Sequence, residues 1–108
     1  MIKLVAIGNL GNNAELKNIN GAEFISFRLA DNRRYADVDG QQKTVTTWMS
    51  CSMDAGRKGI VPYLTAGQKV YIEGYPTVRI NNNSQGEKAA YINVHVTNLE
   101  FCSSQDKA

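Results

Sequence analysis

The apolar residues of this chain recur at every second position, in runs rich in Val, Ile, Thr, Tyr and Phe that Gly and Asn clusters interrupt. Alternation of period two sends successive side chains to opposite faces of a sheet, so the pattern predicts strands. The first strand, residues 2–10, is apolar in both parities, with Val5 and Ile7 on one face and Leu4 and Ala6 on the other. A strand apolar on both sides is covered on both sides, and in so short a chain the second cover is expected to be another subunit. Gly8-Asn9-Leu10-Gly11-Asn12-Asn13 then predicts a bend or bulge. The second strand, 23–30, sets Ile25, Phe27 and Leu29 against Phe24, Ser26 and Arg28. Residues 31–40 read as a polar loop ending in the turn pair Asp39-Gly40.

The third strand, 43–53, puts Val45, Met49, Cys51 and Met53 inward, with Thr47 among them. Thr44, Thr46, Trp48, Ser50 and Ser52 fall on the other face. A short helix is predicted within 57–66 from the spacing of Ile60, Val61 and Leu64. Pro62 restricts it to a turn or two, and Gly67 suits its end. The fourth strand, 68–79, opposes Val70 and Ile72 to Tyr71, Glu73 and Tyr75, and Pro76 predicts an edge or bulge. After a polar hairpin loop at 80–88, the fifth strand, 89–101, turns Ile92, Val94 and Val96 inward and Tyr91, Asn93 and His95 outward. Its parity changes near Asn98, where Leu99 and Phe101 become the apolar pair, which predicts a bulge or a strand end.

Five strands with one short helix between the third and fourth is the element order of an OB-fold. That all-β, five-stranded Greek-key barrel offers one face and its flanking loops to oligonucleotides or sugars. The 108 residues fit one domain, with residues 1–102 forming the barrel and 103–108 a short polar tail. No apolar run approaches the roughly 20 residues of a membrane span. The start does not read as a signal peptide, so a cytoplasmic protein is expected. Twelve Lys and Arg against 10 Asp and Glu give a net charge of +2, too little to name a partner by itself; any basic surface must come from placement. Two cysteines at no ligand spacing and a single histidine predict no disulfide framework, no metal and no cofactor. Without a paired base, nucleophile and orienting group, no enzyme is expected.

Trp48 is the leading candidate site residue. Its parity with Thr46 and Ser50 predicts exposure, against the alternative that it closes the open end of the barrel. An exposed indole stacks any base. Tyr35 beside Arg33 and Arg34 predicts a stacking ring flanked by phosphate contacts, or else a solvated loop diluted by Asp31, Asp37 and Asp39. Arg28 lies on the polar face of the second strand, and Lys3, Lys43, Lys69, Arg79 and Lys88 are further phosphate candidates. Tyr71 fits subunit packing, together with Leu4 and Ala6.

Four stretches, in order, resemble the bacterial single-stranded DNA-binding proteins. They are Lys3-Leu4-Val5-Ala6-Ile7-Gly8-Asn9-Leu10-Gly11, Ala30-Asp31-Asn32-Arg33-Arg34-Tyr35, Thr46-Thr47-Trp48, and the run from Tyr63 through Ala66-Gly67-Gln68-Lys69-Val70-Tyr71-Ile72-Glu73 to Gly74. The resemblance implies an OB-fold that forms homo-oligomers, usually tetramers, and coats single-stranded DNA in replication, recombination and repair. It implies that Tyr35 and Trp48 stand at base-stacking positions. At two others, near Met53 or Asp54 and near Asn81, the family's aromatics are not matched. The family's acidic C-terminal tip, which recruits repair proteins, is not matched by Ser104-Gln105-Asp106-Lys107-Ala108, so that recruitment is not carried over. Two other readings stay open: a primosomal replication accessory protein of the same barrel type, usually dimeric, and a protein-interaction module with weak nucleic-acid affinity.

Overall fold

A computed structural model describes residues 1–102; the polar tail expected at 103–108 lies outside the described residues. Six strands form one sheet: β1 Leu4–Leu10, β2 Glu15–Ile19, β3 Ala22–Ala36, β4 Gln42–Asp54, β5 Lys69–Asn82 and β6 Lys88–Phe101. A 3₁₀ helix, Ala55–Tyr63, joins β4 to β5. The strand order is β1-β5-β6-β4-β3-β2, and β1 also pairs with β3, which closes five of the strands into the expected barrel. Only the β4–β6 pairing is parallel.

The inward faces are those predicted from alternation. Ile25, Phe27 and Leu29 of β3 meet Met49, Cys51 and Met53 of β4, Val70 and Ile72 of β5, and Val94, Val96 and Leu99 of β6. Burial pushes the Cys51 thiol up to about 12. On β1, Leu4 and Ala6 pack against this core. The residues left 56% and 52% exposed are Val5 and Ile7. The open apolar face of β1 is therefore theirs, a correction to the expected interface pair.

The Gly/Asn cluster does form the expected bend. The Asn12 side-chain oxygen accepts the Arg28 amide at 3.0 Å, and that of Asn13 accepts the Ala66 amide at 2.8 Å. A Cβ at Gly8 would stand 2.4 Å from the Ala30 carbonyl oxygen, so only glycine lets β1 approach β3 at the barrel seam. Past the bend comes β2, a strand the alternation does not predict because all five of its residues are exposed. Its sequence signal is Asn20-Gly21, with φ of 53° and 85°, the pair favoured in a two-residue hairpin.

Two polar stretches that read as loops are partly strand. β3 runs on to Ala36, and β5 to Asn82. Both arms reach past the barrel, where either face can meet water; β3 carries no apolar alternation there, and β5 keeps only the exposed Val78 and Ile80. Their tips use one device. The Asp37 carboxylate accepts the amides of Asp39 and Gln41, and the Asn83 side chain accepts those of Gln85 and Glu87. Gly40 and Gly86 then take φ of 78° and 80°. The β4–β6 pairing covers only Met49 to Met53 against Ile92 to Val96, so the arms are unpaired with one another beyond it.

The parity change near Asn98 is a bulge. Glu73 faces Asn98 and Gly74 faces Val96, which leaves Thr97 as the extra residue. A Cβ at Gly74 would lie 2.2 Å from the His95 carbonyl oxygen. Pro76 is not the irregular point; it pairs regularly with Val94. Leu99 is buried as expected, whereas Phe101 is 40% exposed. The helix starts two residues before its expected position. Asp54 caps it by accepting the Gly56 amide, and the Arg57 guanidinium donates to the Leu99 carbonyl at 3.0 Å.

Candidate nucleic-acid interface

Directly paired residues share a face of the sheet. Arg28 pairs with Ser50 and Ala30 with Trp48; Ser50 pairs with Asn93; Asn93 pairs with Thr77 and Tyr91 with Arg79. These pairings assemble one polar outer face that crosses β3, β4, β6 and β5. Trp48 stands on it 45% exposed, as its parity predicts, and does not seal the barrel. The Arg28 guanidinium carbon lies 4.3 Å from the centroid of the indole, within range of a cation–π contact. The far edge of the ring lies against Gly11, where a Cβ would come within 2.5 Å of Cζ3.

Two grooves open on this face. One, of 620 Å³, is lined by residues that include Arg28, Thr46, Trp48, Ser50 and Tyr91. The other, of 630 Å³, is lined by residues that include Ser50, Ser52, Arg79, Asn81, Tyr91 and His95. Ser50 and Tyr91 belong to both, so the grooves adjoin. Among the described residues no carboxylate lines either one. The surface thus combines aromatic faces, hydroxyl and amide donors and two guanidinium groups with no opposing charge. That composition suits an unpaired, polyanionic strand.

The expected site residues divide. Trp48, Arg28 and Arg79 line the groove. Arg34 pairs with Thr44 and shares the Trp48 face farther out on the β3–β4 arm. Arg33, which pairs with Val45, and Tyr35, which pairs with Lys43, lie on the opposite face of that arm. The expected cluster of one ring beside two guanidiniums is therefore split, with Tyr35 and Arg33 on one face and Arg34 on the other. Neighbours along a strand point apart, and only a loop reading placed them together. Lys43 lies 3.9 Å from Asp37 at the arm's tip, and Lys88 opens β6 opposite Asn82. Lys69 pairs with Asn9 at the barrel seam.

Lys3 sits 3.3 Å from Glu73 on another surface. There Ile7 pairs with Tyr71 and Val5 with Glu73. The Tyr71 phenol donates to Glu73. That bond, followed by Lys3, holds the Glu73 carboxyl below its usual range, and Glu73 in turn raises the Tyr71 phenol. Tyr71 thus shares the open apolar face of β1, away from the groove.

Sequence reading left Tyr91, Asn93, Ser50 and Ser52 out of the site. Alternation turned Tyr91 and Asn93 outward, but which strands are neighbours was not legible from it. Of the unmatched aromatic positions, Asn81 lines the groove and Asp54 caps the helix. Among the described residues no cluster of three His, Cys, Asp or Glu could hold a metal ion, and no helix is long and apolar enough to cross a membrane.

Known proteins share this architecture. The small single-stranded DNA-binding protein of Streptomyces coelicolor superposes with a TM-score of 0.78 at 18% identity, over 94% of both chains. An SSB of Plasmodium falciparum in complex with ssDNA gives 0.76 at 22% identity, over 95% of this chain and 96% of that one. In sequence, the chain is 34% identical over 91 residues to the single-stranded DNA-binding protein of Rickettsia prowazekii (strain Madrid E), covering 80% of this chain and 60% of that protein. It is 28% identical over 106 residues to that of Helicobacter hepaticus, covering 95% and 62%. The chain thus spans about 60% of the length of these relatives. The family profile itself matches residues 1–102, the whole of the barrel described above, and the chain belongs to the single-strand binding protein family.

Proposed function

We propose that this protein binds single-stranded DNA without strong sequence preference and without catalysis, as a cytoplasmic coating protein in replication, recombination and repair. The observation that carries this reading is Trp48. Its ring is half exposed on a polar sheet face, with a guanidinium over it and a carboxylate-free groove beside it. Bases stack on the indole, and Arg28, Arg79 and Arg34 meet phosphates. A ring face does not distinguish one base from another, so binding tolerates any sequence. The protein works as a homo-oligomer, a tetramer in preference to a dimer, through the exposed Val5 and Ile7 and the adjoining Tyr71.

The test is fluorescence anisotropy of a labelled oligo-dT with unlabelled duplex as competitor. The strand binds, duplex competes poorly, and log K falls with log salt by about 0.7 per phosphate neutralised. A strand that fails to bind, or a duplex that competes as well as the single strand, contradicts the reading.

A further inference from the structure

We propose that Tyr91 is a second base-stacking platform, immediately next to Trp48, and that the strand crosses the sheet from β3 towards β5. This inference rests on the single-stranded DNA reading and adds a residue and a path to it. The β4–β6 register pairs Ser52 with His95 and Ser50 with Asn93. The pairing stops at Met49 and Ile92, and just beyond it Trp48 and Tyr91 line one groove from the two strands. Tyr91 is 41% exposed, faces Arg79 on β5, and is shared by both grooves. Across the sheet the order is therefore Arg28, Trp48, Tyr91, Arg79: a cation, two rings, a cation.

Trp48 and Tyr91 line one groove from adjacent strands, so the two rings take successive bases while the outer guanidiniums meet the phosphates on either side. Arg28 pairs with Ser50, two residues along from the Ala30 opposite Trp48, so the path of the nucleic acid crosses β3, β4, β6 and β5 obliquely rather than tracking along one hairpin. It also explains how the face binds with Asn81 and Asp54 where aromatic rings could have stood. The second ring is supplied from β6 instead.

The experiment measures binding of the full chain to labelled oligo-dT and, separately, to an abasic oligomer of equal length. Tyr91→Ala and Tyr91→Leu weaken oligo-dT binding by roughly 5- to 100-fold, the usual range for loss of one stacked base, with the salt slope unchanged. Tyr91→Phe binds like wild type, because the ring and not the hydroxyl does the work. Arg79→Ala lowers the salt slope. On the abasic oligomer, wild type and Tyr91→Ala bind alike. The leucine variant keeps a large side chain on the strand, so equal losses in both variants exclude a packing defect. Wild-type binding with Tyr91→Ala unchanged overturns the inference alone, as does a Tyr91→Phe loss equal to that of Tyr91→Ala. Failure of wild type to bind oligo-dT overturns both this inference and the reading beneath it.

Discussion

An indole left half in water forgoes part of the roughly 25 cal/mol per Å² that burial returns. Trp48 makes that sacrifice on a face that it shares with Thr46, Ser50 and Arg28. Trp48→Ala is accordingly expected to leave the melting temperature nearly unchanged. It lowers affinity for oligo-dT by the equivalent of roughly 1–3 kcal/mol at every salt concentration. Calorimetry and anisotropy on one preparation check both halves. Gly11 sets where the ring can lie. Gly11→Ala, whose Cβ would meet Cζ3 at 2.5 Å, displaces the ring from Arg28 and shifts its emission maximum. Arg33 and Arg34 separate by face: Arg34→Ala reduces the salt slope, and Arg33→Ala reduces it less. Cys51 behaves as a core hydrophobe. Its folded thiol, pushed up to about 12 from 9.0, stays protonated where the unfolded one ionises. Stability is therefore fully present below pH 9 and declines as pH rises towards 12, and Cys51→Ala removes that part of the alkaline dependence in denaturant titrations.

Strands were legible where one face had to be apolar and illegible where neither did. The barrel portions of β3, β4, β5 and β6 carry strict alternation, so their faces, the bulge beside Asn98 and the outward Trp48 could all be read. The β3 arm beyond the barrel carries polar residues on both faces, the end of β5 keeps only Ile80 before its asparagines, and β2 is exposed along its whole length, so composition read them as loop. That error had a functional cost: it gathered Tyr35, Arg33 and Arg34 into one cluster that the pairing with Lys43, Val45 and Thr44 pulls apart. Which strands lie side by side depends on distant segments closing the barrel, and the chain's local pattern does not encode it; Tyr91 was missed for that reason. The arms owe their turns to Asp37 and Asn83, each of which accepts two turn amides. Asp37→Ala or Asn83→Ala is expected to lower stability by about 1 kcal/mol, read from thermal melts. Gly74→Ala, which forces a Cβ to 2.2 Å from a backbone oxygen, costs far more and yields little folded protein.

At the scale of the whole molecule two surfaces differ in chemistry. The face crossing β3, β4, β6 and β5 is polar and cationic. The β1–β5 face carries Val5 and Ile7 in the open, edged by the Lys3–Glu73–Tyr71 group. If subunits meet on the second face, Val5→Glu with Ile7→Glu reduces the mass measured by light scattering while leaving the circular dichroism of the barrel unchanged. A wild-type chain that scatters as a monomer contradicts that assignment. The barrel is the family's; the surface proposed for an unpaired base rests on Trp48 against Arg28, with Tyr91 in the next strand.

Trp48 is the chain's only tryptophan, so its fluorescence reports on the groove and nothing else. In a titration with poly-dT the emission should fall and saturate at a fixed ratio of nucleotides to protein, as bases stack on the ring and exclude Arg28 from it. Emission that stays constant while poly-dT is shown to bind would mean that the strand passes elsewhere, and the site assigned here would be wrong.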